Sequence, residues 1–401
     1  MKMKKRVILR RGREESILRF HPWVFSGAIV RSEGEIAEGD IVEVVSAAGG
    51  TLGYGHFQVG SIAVRMLSFG ENVPGKRFWT EKLSAAYSLR VSAGVVRDDN
   101  TAYRLVHGEG DMMPGLIVDI YGKTAVMQAH SAGMFLAREE IAEALRAVYG
   151  DKLTAVYDKS SSTAPFKASL DLMDQYLYGK REGEEIVKEN GLLFSVDWVH
   201  GQKTGFFLDQ RDNRELLGKY SSGKRVLNLF CYTGGFSIYS MAKGAKSVDS
   251  VDSSAKAMKM LERNIEINKE AGLVDKKIMH NSFTEDAIDF LKESAENSYD
   301  LIIVDPPAFA KHRGALQNAL RAYQRLNAAA ISRVSPGGII FTYSCSQVVD
   351  KIAFAEAVFS AAAATGRVVR ILHRLTQPAD HPVNIYHPEG EYLKGLVLYV
   401  E

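Results

Sequence analysis

Residues 225–236 read Arg-Val-Leu-Asn-Leu-Phe-Cys-Tyr-Thr-Gly-Gly-Phe. An apolar run, Arg225 to Phe230, is halted by the adjacent glycines Gly234 and Gly235, and helical spacing follows. Without a Cβ, glycine lets the backbone turn sharply and lets a ligand approach it closely. Further apolar runs stand at Ser247 to Val251, Lys277 to His280, Leu301 to Val304 and Gly338 to Tyr343. Helical stretches separate them, including Ala255 to Lys269 and Gln317 to Val334. This alternation predicts a doubly wound α/β sheet over residues 191–401, with its ligand site at the carboxyl ends of the strands.

The second strand runs into Asp252. An acid in that place can accept hydrogen bonds from a ribose diol, a need shared by nicotinamide and S-adenosylmethionine enzymes. The three spaced glycines that seat a pyrophosphate on a helix N-terminus are absent. That turns the reading toward an adenosyl cofactor without phosphates, with a plain strand-to-helix turn as the alternative. Asp305-Pro-Pro-Ala-Phe309 follows the strand Leu301 to Val304. Two prolines forbid both helix and sheet pairing, so they make a rigid loop. Such a loop can aim Asp305 and the backbone of Pro306 and Pro307 at a flipped base, with Phe309 stacked on it. A stiff strand exit is the alternative there. Cys345, in Thr342-Tyr-Ser-Cys-Ser346, falls in the neighbouring loop if the two strands are adjacent. A thiolate there would serve as a nucleophile. Cys231, beside the glycine turn, is expected to pack under the cofactor.

Working outward, residues 1–72 read as a small all-β, barrel-like unit. Alternation in Asp40 to Val45 and Ser61 to Leu67 gives strands, and Gly49, Gly50, Gly53, Gly55 and Gly60 read as turns or bulges between them. Residues 73–190 mix helix and strand, an α+β unit. Phe78 to Ala93 offers Leu83, Ala86, Tyr87 and Leu89 to one face. Gly115 to Tyr121 and Thr124 to Ala129 flank Gly122 as a hairpin, and a helix, Ala137 to Tyr149, leads to a strand at Leu153 to Asp158. At about 150 residues per domain, 401 residues accommodate these three parts.

Composition narrows the function. Two cysteines exclude a disulfide-stapled scaffold and a four-cysteine zinc site, and no metal is expected. The N-terminus lacks the apolar stretch of a signal peptide, and no run approaches the about 20 apolar residues of a membrane span. A reducing cytoplasm is the expected compartment. Lys plus Arg is 50 against 48 for Asp plus Glu, so overall charge says little. Its distribution says more. Lys2, Lys4, Lys5, Arg6, Arg10, Arg11, Arg13 and Arg19 crowd the first twenty residues, and Arg10, Arg11 and Arg13 are candidates for RNA phosphate contacts.

Taken together, these motifs resemble those of the RlmI-like class I S-adenosylmethionine-dependent large-subunit rRNA (cytosine-5) methyltransferase family. His21-Pro-Trp-Val-Phe25 resembles the start of the family's PUA domain, and Lys203-Thr-Gly-Phe-Phe-Leu-Asp-Gln-Arg-Asp-Asn213 the signature before its first sheet strand. Tyr232 to Phe236, Asp305 to Phe309 and Ser344-Cys-Ser346 follow in the family's order. His381-Pro382 and Tyr392-Leu-Lys-Gly395 match its end. The resemblance implies a PUA-like RNA-binding domain, a central α+β domain and a Rossmann-like methyltransferase domain. It further implies that Gln210 and Arg211 help hold S-adenosylmethionine, that Tyr232 and Gly234 line it, that Asp252 binds its ribose and that Asp305 also contacts it. Asn281 stands where relatives often carry an acid near the adenine. Ala308 follows Pro307 where the two-cysteine enzymes carry a cysteine, which implies a mechanism using Cys345 alone, with Asp305 on the base edge. The expected partner is large-subunit rRNA, with a homodimer possible. The rivals are an exocyclic-nitrogen methyltransferase of a purine, a non-catalytic RNA-binding assembly factor and a nicotinamide dehydrogenase.

Overall fold

The computed structural model describes residues 4–165, 171–181 and 183–401, so Lys2 of the basic run lies outside them. Two compact units emerge. The first comprises residues 1–187, 196–208 and 379–390, and the second residues 188–195, 209–378 and 391–401.

Within the first unit, β1 (Arg6–Leu9), α1 (Glu15–Leu18), β2 (Trp23–Phe25), β3 (Ile29–Glu33), β4 (Ile41–Val45), β5 (Thr51–Phe57) and β6 (Ile62–Phe69) come first. The strands form one sheet in the order β2-β6-β5-β4-β1-β3. Alternate residues Val7, Leu9, Val42, Val44, Val64 and Met66 face its core, as the period of two requires. The glycines between the two expected strands hold a correction. A strand, β5, runs through Gly53 and Gly55. A Cβ on either would stand 2.3 Å from a backbone oxygen of β6 (Ser68 and Arg65, respectively). These glycines serve close strand approach at a bulge between Tyr54 and Gly55.

The same unit continues with α2 (Phe78–Ser92), β7 (Ala102–His107), β8 (Leu116–Tyr121), β9 (Thr124–Ala129), α3 (Ala132–Leu136), α4 (Arg138–Tyr149), β10 (Ala155–Asp158) and β11 (Gln175–Tyr178). The strands run in the order β11-β10-β9-β8-β7. Leu83 and Ala86 of α2 are buried as expected, but Leu89 is 43% exposed. Arg90 is buried in its place, satisfied by both oxygens of Asp111 and the carbonyl oxygens of Arg104 and Asp380.

A hairpin, β12 (Glu185–Glu189) and β13 (Leu192–Val196), leads into the second unit. There follow α5 (Arg211–Ser221), β14 (Arg225–Leu229), α6 (Gly235–Ala242), β15 (Ser247–Val251), α7 (Ala255–Glu270), β16 (Met279–Phe283) and α8 (Ala287–Glu293). The chain closes with β17 (Tyr299–Val304), α9 (Leu316–Arg333), β18 (Val334–Ser344), α10 (Lys351–Thr365), β19 (Val369–Leu375) and β20 (Lys394–Val400). The sheet order is β16-β15-β14-β17-β18-β20-β19. The first five strands are parallel, and β20 lies antiparallel to both neighbours. Succession reverses at β14, which opens a crevice at the carboxyl ends of β14 and β17. Ser254, Asp286 and Asp350 cap the N-termini of α7, α8 and α10. Among the described residues no helix is long and apolar enough to cross a membrane.

Candidate active site

The loop after β14 is wound tightly. Phe230, Tyr232 and Gly234 have φ of 57°, 48° and 84°, and side chains in that left-handed region are strained unless their surroundings hold them. The holding group is Asp252, just past the end of β15. Its Oδ2 accepts the Tyr232 amide at 2.9 Å and its Oδ1 accepts the Ser254 amide at 2.9 Å. A carboxylate has about four lone-pair positions, so this half-buried acid keeps acceptor capacity after fixing both loops. Gly234 admits no side chain, because a Cβ there would lie 2.0 Å from Cδ1 of Leu261. Cys231 is buried, its Sγ 3.6 Å from Sδ of Met258, and burial pushes its thiol pKa well up. It is packing.

Across the crevice, Val304 of β17 pairs with Thr342 of β18. The two strands are therefore neighbours, and Asp305 and Cys345 leave adjacent strand ends. The Cys345 Sγ lies 3.9 Å from the Pro306 carbonyl oxygen. Ser344 and Ser346 are wholly buried while Cys345 between them is half-exposed, an alternation that sends the thiol to the opposite side from its flanks. Tyr323 of α9 fixes those flanks: its hydroxyl lies 2.9 Å from Ser344 Oγ and 3.1 Å from Ser346 Oγ. Ser346 Oγ also accepts the Ala310 amide at 3.3 Å, which ties the two loops together. Pro306 is buried and Pro307 exposed. Phe309, expected to offer its ring to a base, instead packs on Tyr323 at a centroid distance of 4.8 Å and braces the loop.

Gln210, expected at the cofactor, reaches Asp305: its Nε2 donates to Asp305 Oδ2 at 3.0 Å, and its Oε1 accepts from Asn213 Nδ2 at 2.6 Å. Arg211 is buried at the start of α5, its Nε 3.4 Å from Asp212 Oδ1. Asn281 is not gathered with the others. It sits inside β16, exposed, its Nδ2 donating to Asp249 Oδ1 at 2.9 Å, level with the middle of β15 rather than its end. Arg10, Arg11 and Arg13 lie in the first unit, exposed and without an ion pair among the described residues. Lys5, Arg6 and Arg19 of the same run bond Asp40, Glu43 and Glu15.

Two further groups escaped the sequence reading. Lys394, the first residue of β20, is buried, its Nζ donating to the carbonyl oxygens of Ser346 and Tyr392 at 2.6 Å each. Burial lowers its pKa to about 8, against a smaller opposing pull from Cys345. Tyr392 donates to Asp209 Oδ2 at 2.7 Å. Their signal was Tyr392-Leu-Lys-Gly395, a quoted motif to which no role had been attached.

A strand-end acid pinned by backbone amides, a side-chain-free turn and no phosphate-binding glycine series suit an adenosyl cofactor without phosphates. A family model described as S-adenosylmethionine-dependent methyltransferase matches residues 166–392, and a PUA-like domain model matches residues 7–69. The chain is 40% identical to ribosomal RNA large subunit methyltransferase I of Aeromonas salmonicida, over 98% of both chains. It is 38% identical to the protein of that name from Pseudoalteromonas atlantica, over 99% of this chain and all of the relative. The chain belongs to the ribosomal RNA large subunit methyltransferase I family. This methyltransferase shares its fold with a Streptococcus mutans protein described as a S-adenosylmethionine-dependent methyltransferase, at a TM-score of 0.81 and 23% identity over 98% of this chain and all of that one. A second solved structure, of a candidate methyltransferase complexed with SAH, gives a TM-score of 0.83 at 23% identity over the same shares. The family's cofactor is S-adenosylmethionine, and the methyltransferase turn and acid of this chain fit it.

Proposed function

We propose that this methyltransferase forms 5-methylcytosine in large-subunit ribosomal RNA through a covalent adduct on Cys345. The supporting observation is the pairing of β17 with β18, which sets Asp305 and the half-exposed Cys345 thiol on adjacent strand ends beside the crevice. The name carried by the full-length relatives supports RNA of the large subunit as substrate. On this reading residues 1–72 form the PUA-like RNA-binding domain, 73–190 the central domain and 191–401 the methyltransferase domain, in a cytoplasmic enzyme.

Tyr232, Gly234 and Asp252 would hold S-adenosylmethionine, which would supply an electrophilic methyl group to carbon 5 and leave as S-adenosylhomocysteine. Cytosine carbon 5 is a poor nucleophile. The Cys345 thiolate adds to carbon 6, and the new S–C bond places the ring's electron pair at carbon 5. Asp305, oriented by Gln210, hydrogen-bonds the base edge. After carbon 5 has been methylated its proton leaves to a base, the ring double bond re-forms and Cys345 departs as thiolate. The base must be single-stranded or extruded to reach this crevice.

The test incubates the protein and its Cys345→Ala variant with labelled S-adenosylmethionine and unmethylated ribosomal RNA, then identifies the labelled nucleoside by mass spectrometry. Label in 5-methylcytidine, lost in the variant, is expected. Label in a methylated purine, or undiminished turnover by Cys345→Ala, would sink the cytosine mechanism.

A further inference from the structure

In the first unit, a group of side chains stands outside everything used above. His21, ahead of β2, His387, just before the short turn Pro388–Gly390, and Glu389 within that turn converge so that one donor atom from each lies within 4.8 Å of the others. His387 is 3% exposed, and neither of its ring nitrogens has a hydrogen-bond partner among the described residues. Glu389 stands 3.9 Å from Nε2, beyond hydrogen-bond range. A buried imidazole with both nitrogens unmet is costly unless something fills its bonding capacity.

We propose that His21, His387 and Glu389 form a site for a zinc-type divalent transition ion. Two imidazoles and a carboxylate are a familiar zinc donor set, with water in the fourth position. His21 is ready for the role. Its Nδ1 lies 3.2 Å from the Trp23 amide nitrogen and 3.3 Å from the Trp23 carbonyl oxygen, and an ion on Nε2 selects the tautomer in which Nδ1 donates to that oxygen. Bonds of about 2.1 Å in a tetrahedron put donors about 3.4 Å apart, so donors that stand up to 4.8 Å apart must draw in by as much as about 1.4 Å. Glu389, 59% exposed, is free to swing that far, and the ring centroids of the two histidines are already 5.6 Å apart. Once bound, the ion clamps residues 379–390 onto the β2 edge of the six-stranded sheet. His21 lies 366 positions from His387 and 368 from Glu389, so no spaced motif in the sequence brings the three together.

The experiment strips the untagged full-length protein of metal and titrates it with Zn²⁺ in competition with a chromophoric chelator. A parallel titration with Co²⁺ follows absorption and tryptophan fluorescence, since the Trp23 ring is 4.3 Å from that of His387. One Zn²⁺ per chain at micromolar affinity or tighter is expected, with tetrahedral Co²⁺ bands and quenching. His21→Ala, at a half-exposed position, and Glu389→Ala should each weaken binding by about 100-fold or more, the upper end of what losing even an outer partner costs. Both variants keep His387, so a folding failure at that buried residue does not confuse the result. Absence of micromolar binding, binding unchanged in both variants, or binding lost only in Cys345→Ser would each overturn the assignment.

Discussion

Replacing Lys394 by Met isolates the contribution of one buried ammonium beside the Cys345 turn. In the fold its pKa is about 8, against 10.5 for a free lysine. At about 1.4 kcal/mol per tenfold change in proton affinity, that is about 3 kcal/mol of cost for holding the charge at neutral pH. The Met variant escapes this cost but strips Nζ from the carbonyl oxygens of Ser346 and Tyr392. Bonds from a charged donor contribute about 1.5–3 kcal/mol each. Two such bonds, about 3–6 kcal/mol together, equal or exceed the relief at pH 7, so a single stability value does not isolate the buried charge. The pH dependence does. Below pH 8 Lys394 is protonated in both folded and unfolded chains, and the cost is constant. Between pH 8 and 10.5 the unfolded chain holds the extra proton, so wild-type stability rises with pH through that window. Other groups titrate there too, but they cancel in the difference between the proteins. Urea unfolding of both at pH 7 and pH 10 should therefore show the wild type gaining about 2–3 kcal/mol on Lys394→Met. A difference that stays level across that range would refute the buried-ammonium reasoning. In the same variant the Cys345 turn loses its anchor, so turnover should fall while cofactor binding, across the crevice at Asp252, is retained.

Gly234→Ala places a methyl against Leu261 and a side chain at a φ of 84°. It should cost about 2–4 kcal/mol, from left-handed strain plus overpacking, and weaken S-adenosylmethionine binding measured calorimetrically; a loss below about 0.5 kcal/mol would mean that the turn relaxes freely. Glu189→Ala leaves Arg214, bonded at 2.8 and 2.7 Å, as an uncompensated buried cation. Denaturant unfolding should report about 3–5 kcal/mol lost, and a cost under about 1 kcal/mol would show that water reaches the pair. Iodoacetamide should label Cys345 in the native protein and spare Cys231 until unfolding, because only the former is partly exposed; native labelling of Cys231, read by peptide mass spectrometry, would contradict its burial.

The central parallel strands β14, β17 and β18 were legible because they are buried on both faces and read as apolar runs such as Leu301-Ile-Ile-Val304, whereas the exposed parallel edge β16 runs Met279–Phe283 rather than the expected Lys277 to His280. The edge β19 was not legible. Its Val-Arg-Ile-Leu-His-Arg-Leu mixes charge with apolar residues because much of it is exposed, and the antiparallel insertion of β20 beside β18 depends on pairing that no local pattern announces. A similar division runs through the site. Residues whose role is set by their own loop, Gly234, Asp252 and Cys345, could be named from sequence. Gln210 could be named, but the hydrogen bond from its amide to Asp305, across 95 positions, has no local signal.

Ser344 and Ser346 show why the remainder stayed hidden. Their side chains look like polar flanks of a reactive thiol, yet both are wholly buried and grip Tyr323. Tyr323 in turn carries Phe309, whose apparent base-stacking ring is taken up in this support. Lys394 grips the same turn through the Ser346 carbonyl oxygen from the far end of the chain. Three distant segments thus hold one turn from behind, and the residue they leave half-exposed is Cys345. Preorganisation of this kind is a property of convergence, so it shows only once β17, β18 and β20 are side by side. The chemistry of the site can be guessed from the one residue that faces outward, whereas its rigidity can be read only from those that face in.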